Sequence, residues 1–496
     1  MAPDAPNSQP NVALASAPLG AAGTTAPRGL ALSPPRWLRL PRLRLAQHPL
    51  AGRLALISLV ACTLAVVAFA TASQTVLVPR AYLGFPPWDS GPLHYITRYL
   101  PINQHDINDG FTAVLLFLLA VWGVTLASVR TLSMRAILTT IVAVHAIVLL
   151  APPLQLNDVW NYLGYARLGA IHHLSPYTHT MADELHDPIF RFSSWHNLRS
   201  PYGPLFTALS YPLAFLPLWA AVWIVKLTTM LTSLGLILLV RRVARQLGRD
   251  PRYAVVFVAM NPIYVMYAMG GFHNDFFMLV PMLAAVSLML DGRDRAAGAV
   301  LMLAPAIKLT AILLLPFMLL AARGRRRRRE VATGAVLGAV PMIALSVGLF
   351  GTHLPNLADQ STLLTPFSIP NLVGLLVGAD GGAPGLLRVA TVLVVVYVAW
   401  LLYRRRGDWL ADTGWATVAL IASLAWLMPW YVIWVLPFAA LGSSLRLRRA
   451  AVVLTVFLIF TFMPLAGTIF YGNGLNPLNT KVGHASTNLQ KHLAGE

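Results

Sequence analysis

Apolar stretches long enough to cross a bilayer recur along almost the whole of this 496-residue chain, and they leave few folds open. A bilayer core offers the backbone no water to bond. A spanning chain must therefore satisfy its peptide groups internally, and runs of about 20 apolar residues do so as helices. The composition agrees, with 57% hydrophobic and 11% charged residues against the roughly 25% charged of soluble domains. The expected fold is an all-α polytopic membrane protein. The net charge of +19 does not point to nucleic acid. Its basic residues sit in short loops between apolar runs, and no basic surface interleaved with aromatics occurs. The single cysteine, Cys62, lies in the first apolar run and excludes intrachain disulfides and cysteine-cluster metal sites.

The basic residues also set the topology. Residues 1–35 are rich in Ala, Pro, Ser and Gly and read as disordered. Arg36, Arg39, Arg42, Arg44 and Arg53 then hold the start of the first run in the cytoplasm. That run begins too late, is too long and lacks a small-residue cleavage pattern, so it is not a cleavable signal peptide. Run 54–72 goes outward, which places loop 75–110 outside, with Asp89, Asp106 and Asp109 against Arg80 and Arg98. Runs 111–128 and 136–150 return and leave around Arg130 and Arg135, which puts 153–217 outside. Within that loop Val159, Tyr162, Leu163, Ala166 and Ala170 recur at helical spacing, predicting an amphipathic helix along the interface. Pro212 and Pro217 divide 205–240 into a short interfacial helix and a span. Runs 253–269 and 276–290 leave 270–275 outside.

Segment 296–322 has arginines at both ends and Pro305 and Lys308 in its middle. Two half-helices that dip in and turn back satisfy those charges, because irregular backbone is tolerated where protein surrounds it. Runs 331–350, 386–403, 415–428, 430–441 and 450–467 then alternate, with 351–384 and 468–496 outside. The whole reads as a bundle of about 11–13 transmembrane helices with interfacial helices in its external loops. It divides into a cytoplasmic tail 1–50, a membrane domain 51–468 and an external tail 469–496.

Carboxylates are scarce in such a chain, and an acid beside a hydrophobic segment is a functional hypothesis by default. Asn157-Asp158-Val159-Trp160-Asn161-Tyr162 and His273-Asn274-Asp275 each place one on the same face of the membrane. Asp158 follows Pro152-Pro153, with Tyr162 and Arg167 further along the helix, and suits a general base for a sugar hydroxyl. Its plainer role is to cap that helix. Arg199-Ser200-Pro201-Tyr202-Gly203-Pro204 is a rigid turn in which Tyr202 stacks on a sugar and Arg199 meets a phosphate; the alternative for Tyr202 is a headgroup-belt anchor. His273 and Asp275 make only two metal ligands, with no third at a known spacing, so Asn274 and its neighbours are better suited to hydrogen bonding sugar hydroxyls or a phosphate diester. Lys308 binds a lipid phosphate or snorkels to the headgroups. His172-His173 and the aromatic cluster Pro429-Trp430-Tyr431 with Trp434 complete the candidates; belt residues or a wall for a sugar or prenyl chain are the two readings of the last.

Taken in order, Asp158-Val159-Trp160-Asn161-Tyr162, Ser200-Pro201-Tyr202-Gly203-Pro204, His273-Asn274-Asp275, Lys308-Leu309-Thr310 and Pro429-Trp430-Tyr431 resemble the polyprenol-phosphate-mannose-dependent mannosyltransferases of the GT-C superfamily. The resemblance is to the actinobacterial α-1,6-mannosyltransferases of lipomannan type and covers about residues 54 to 468. It implies a GT-C-like bundle in the bacterial plasma membrane, with its active site on the external face. There a sugar, mannose by the resemblance, passes from a polyprenyl-phosphate donor to a glycolipid or glycan acceptor with inversion. Asp158 holds the position of the base; Arg199, Tyr202, His273 and Asp275 line the donor and acceptor pockets. Trp160 departs from the Tyr more usual there. No Asp-Asp or Asp-x-Asp pair occurs in the early loops, so neither a metal nor another cofactor is expected. Asp106 and Asp109 are reserve candidates for the base, because many relatives place it between the first two spans. One base suffices for a single displacement, and a charged leaving phosphate needs cationic or backbone donors. The competing class is a transporter or lipid-linked sugar flippase, which also uses broken helices and a central lysine. Against it, the hydropathy has no internal repeat and the polar residues gather in the external loops. A ligase that transfers polyprenyl-linked glycan shares the same architecture.

Overall fold

The structure, a computed structural model, describes residues 49–73, 75–78, 86–156, 158–355, 357–404 and 407–495. The expected disordered segment 1–35, together with Arg36, Arg39, Arg42, Arg44, Arg80 and Asn157, lies outside the described residues.

Among the described residues the secondary structure is helical throughout, without strands. Five helices are long and apolar enough to cross a bilayer: Pro49–Ala72, Gln104–Ala127, Leu218–Gln246, Arg325–Phe350 and Pro384–Arg404. Leu445–Phe462 and Ala466–Gly472 make a sixth candidate if the pair, bent by 76°, is one span. The last two of the five expose apolar stripes, Val336, Leu337, Val340, Ile343 and Val347 on one and Val389, Val392, Val395 and Val396 on the other. Exposed apolar area on that scale is what a lipid-facing surface looks like. The molecule is a polytopic membrane helix bundle.

The other expected crossings are shorter or broken, and the breaks have local causes. Run 253–269 stops as a helix at Ala259, because Pro262 has no N–H to continue it. The Asn261 side chain accepts from the Ile263 amide at 3.0 Å and restarts the chain as a π-helix, Tyr264–Met269. π-turns occur often at functional sites. Run 430–441 divides into a 3-10 helix, Pro429–Trp434, and a short α-helix, Leu436–Leu441. Segment 296–322 is indeed two short helical pieces: Asp294–Leu301, then Leu309–Leu313 running into Leu314–Ala321, with Lys308 at the break. The first piece lies against Arg325–Phe350 so closely that a Cβ on Gly334 would stand 1.9 Å from the Arg295 carbonyl oxygen.

Two loop elements differ from their expected surroundings. The helix Asp158–Ala170 forms where its periodicity placed it, yet every residue from Val159 to Ala166 is buried. It does not lie half-exposed along an interface, because Pro204–Ser210 and the 3-10 turn Tyr211–Phe215 cover its other side. The expected external tail ends in a helix, Lys481–Ala494, which packs onto the long loop. Asn197 donates from its amide side chain to the His492 carbonyl at 2.7 Å, and Leu198, Leu363 and Leu493 close a small apolar cluster.

Candidate active site

The chain before Asp158 is pinned from two sides. The Leu154 amide donates to the Gly270 carbonyl at 2.8 Å, and the Gln155 amide donates to the Leu77 carbonyl at 2.9 Å. This joins the two acidic motifs through their backbones. Asp158 is the first residue of its helix. Its carboxylate is 17% exposed and stands in a first turn, where unpaired amides favour negative charge. Asp158 Oδ2 lies 3.1 Å from Nδ1 of His273, whose imidazole is fully buried. That ring lies flat on Trp430, with centroids 3.9 Å apart and planes at 10°. The Asp158–His273 contact has ion-pair distance without hydrogen-bond alignment, and neither imidazole nitrogen has a hydrogen-bond partner. Catalytic hydrogen bonds are often loose without substrate and tighten when it binds.

Asp275 begins the helix Asp275–Leu290 and is buried. Its Oδ1 accepts from the Lys308 ammonium at 2.7 Å and from the Trp434 indole N–H at 2.5 Å. The ammonium also lies 4.9 Å from the Trp434 ring centroid and 5.1 Å from that of Tyr431, so aromatic faces and one carboxylate hold it. With the Lys308 side chain 22% exposed, donors remain for an incoming anion. Asp275 Oδ2, Asn274 Nδ2 and both His273 nitrogens are buried polar atoms without a hydrogen-bond partner. Such atoms are rare in native proteins, and four on one tripeptide mark a place where a polar ligand is wanted.

The turn at Ser200–Pro204 packs beside the same group. The Gly203 amide donates to the Ile307 carbonyl and the Leu205 amide to the Ala306 carbonyl, both at 2.9 Å. This knits the turn to the segment that delivers Lys308. Tyr202 meets Tyr162 edge to face with centroids 4.9 Å apart, and the Tyr162 hydroxyl accepts from the Asn274 amide at 3.1 Å. Burial, and then the charge of Asp158, pushes the Tyr162 and Tyr202 phenols well above the usual tyrosine range, so both are neutral hydrogen-bonding groups.

The structure thus brings together Asp158, Tyr162, Tyr202, His273, Asn274, Asp275 and Lys308. It engages Arg167 elsewhere: its guanidinium donates to both Asp187 oxygens at 2.8 and 2.9 Å and to the Ala214 carbonyl at 3.0 Å. His172 binds the same carboxylate at 2.7 Å, so Arg167 and His172 brace the loop and are not free to meet a ligand. Arg199 is half-buried beside the Ser200 turn. Asp106 and Asp109 stand exposed in the first turns of Gln104–Ala127. Among the described residues, no ion pair or hydrogen bond joins either to Asp158, His273, Asp275 or Lys308. Nor do three His, Cys, Asp or Glu side chains converge there as a metal group. Trp434 belongs to the site through its bond to Asp275, which no spacing in the sequence announces. Asp89, expected only as an acid of the external loop, is fully buried with Lys226, a residue the sequence reading did not single out. A signal was available for the latter, since Lys226 is the one charge in the apolar run 218–240.

Comparison with known proteins finds similarity over two stretches of the chain. Residues 90–324 match the family described as alpha-(1->6)-mannopyranosyltransferase, N-terminal domain, and residues 385–479 match the MptB C-terminal domain. The first match holds Asp158, Tyr202, His273 and Lys308, and the second holds Trp430 and Trp434. The chain is 28% identical to alpha-(1->6)-mannopyranosyltransferase A of Mycobacterium tuberculosis, over 67% of this chain and 70% of that protein. It is 27% identical to a probable alpha-(1->6)-mannopyranosyltransferase of Mycolicibacterium smegmatis, over 62% of this chain and 65% of that protein, slightly under two thirds of its length. A Corynebacterium glutamicum alpha-(1->6)-mannopyranosyltransferase A is 24% identical over 59% of this chain and 68% of its own. No solved structure matches.

Proposed function

Given that the chain belongs to the alpha-(1->6)-mannopyranosyltransferase family, we propose that it is a membrane mannosyltransferase whose donor is a polyprenyl-phosphate sugar. The acceptor is a glycolipid or glycan at the outer face of the cell membrane. The observation that carries this reading is the pairing of one part-exposed carboxylate, Asp158, with a caged cation, Lys308, across His273 and Asp275. Group transfer from a phosphate needs those two parts: a base for the incoming hydroxyl and a positive charge for the departing oxygen.

In the proposed reaction the acceptor hydroxyl oxygen attacks the anomeric carbon from the face opposite the phosphate. Its proton passes to Asp158. The carbon–oxygen bond to the phosphate breaks with its electron pair, leaving a polyprenyl phosphate whose added charge meets Lys308. One displacement inverts the anomeric centre, so a single carboxylate near the acceptor suffices. His273, stacked on Trp430, orients the Asp158 carboxylate. Tyr202 and Tyr162 offer edges and a hydroxyl to a sugar.

The test is transfer of radiolabelled mannose from polyprenyl phosphate mannose to glycolipid in membranes, wild type against Asp158→Asn. The expected result is labelled product from wild type and a loss of about 10²–10⁴-fold in the variant at equal protein level. Full transfer by the variant would move the base to another carboxylate, Asp106, Asp109 or Asp275. No product from wild type would reopen the transporter reading.

A further inference from the structure

A second buried cation and carboxylate, Lys226 and Asp89, stand together and are unused in the proposed reaction. Lys226 is fully buried in the helix Leu218–Gln246 and donates from its ammonium to the main-chain carbonyl of Asp89 at 2.7 Å. The Asp89 side chain is also fully buried, and neither carboxylate oxygen has a hydrogen-bond partner. Burial pushes its carboxyl up to about 6, against the pull of the Lys226 charge. Taking two charges out of water costs several kcal/mol each, so stability alone is a weak reason for the pair.

The surroundings show what the pair touches. Around the ammonium stand the Trp223 ring at 4.0 Å and the Phe272 ring at 5.5 Å. The Trp223 indole donates to the Trp88 carbonyl at 2.9 Å, and Trp88 meets Trp160 edge-on at 6.0 Å. Trp160 is two residues past Asp158, and Phe272 is the residue before His273. Lys226 is thus linked through ring contacts to chain neighbours of both Asp158 and His273.

Phe272 adds a further observation. Its φ is +52°, in the left-handed region, where the His273 amide donates to the Ala268 carbonyl at 3.2 Å and the Phe272 amide to the Met269 carbonyl at 3.1 Å, closing the end of the preceding helix on a bulky residue where glycine is usual. Its ring is fully buried, and the Lys226 ammonium stands 5.5 Å from its centroid. We infer that Lys226, seated on the Asp89 carbonyl, is a positioning residue that fixes the Phe272 ring on its left-handed turn and so sets the His273 imidazole against Asp158. The inference rests on the proposed role of Asp158 and His273 in transfer.

The test is a double-mutant cycle in membranes carrying the full chain, reading kcat and donor KM separately. Lys226→Met is paired with Phe272→Gly, since glycine takes the left-handed conformation without strain. Lys226→Met is expected to lower kcat by about 10- to 100-fold with little change in KM, the scale of a misplaced catalytic group. Lys226→Arg should recover part of that loss. In the Phe272→Gly background the same substitution should cost much less. Equal losses in both backgrounds, or KM rising alone, would overturn the inference. Because Lys226→Met leaves Asp89 buried alone, Lys226→Met with Asp89→Asn is measured beside it; full kcat from that folded variant would also overturn it. If the wild type transfers no mannose, the functional reading has failed, and the cycle is then read on melting temperature in detergent. Coupling between Lys226 and Phe272 supports the hold on Phe272, and additivity refutes it.

Discussion

The phenol oxygen of Tyr162 accepts the main-chain N–H of Asn274 at 3.1 Å, inside a wholly buried contact between two motifs far apart in the chain. The bond ties the helix that starts at Asp158 to the tripeptide that carries His273. Tyr162→Phe keeps the ring packing against Tyr202 and Phe206 and removes only the acceptor. A buried amide left unpaired costs about 1–3 kcal/mol. The variant should melt lower in detergent and transfer more slowly, with the loss mainly in kcat.

The Lys308–Asp275 pair separates two effects. Lys308→Ala removes the cation proposed for the leaving phosphate and should lower transfer by about 10²–10³-fold. It also strands the buried Asp275 carboxylate, so melting temperature should fall. Asp275→Asn leaves the charge on Lys308 and keeps an acceptor for Trp434. It should reduce transfer less than Lys308→Ala does. Activity and melting curves of the two single variants and the double variant check this, and equal activity of Lys308→Ala and wild type would exclude the phosphate role.

Gly203 is a packing prediction. A Cβ there would lie 2.3 Å from the Ala306 carbonyl oxygen, a main-chain atom that cannot swing aside. Gly203→Ala should push the Ser200–Pro204 turn away from the Lys308 segment, at about 1–3 kcal/mol for the overpacking. Transfer should drop although no group of the proposed chemistry has been touched. Gly110→Ala, where a Cβ meets nothing within 4 Å, is the control.

Asp187 predicts a pH dependence. Burial would raise its carboxyl, but hydrogen bonds from Arg167 and then His172 outweigh that and hold it below the ordinary 3.8. A carboxylate lowered on folding contributes stability that is complete above its unfolded value and is lost as pH falls through the folded one. Thermal stability in detergent should therefore show an Asp187-dependent decline only below about pH 4. Asp187→Asn should flatten that part of the curve and lower stability above it.

Much of this protein was legible from its residues in order. Hydropathy and arginine placement are local properties, and they located the apolar runs, the break at Pro305 and Lys308, and the helix after Pro153. Pro212 and Pro217 ended and began helices where a residue without an N–H must. Asp158, His273 and Asp275 stood out because acids beside membrane segments are costly. Breaks such as Asn261-Pro262 were less visible, since an apolar run looks the same whether one helix or two short pieces carry it.

Partnership was a matter for the tertiary structure. Arg167 and Lys308 are both lone cations in their stretches of sequence, yet one is tied to Asp187 in the long loop and the other to Asp275 in the candidate site. Trp434 finds Asp275, and Lys226 finds Asp89, across separations that no periodicity spans. The sequence by itself determined which segments leave water, because that depends on the apolar area of each segment alone. Which buried polar groups meet was decided only by packing, because a hydrogen bond or ion pair depends on ångström-scale distances between helices whose mutual placement no single segment encodes.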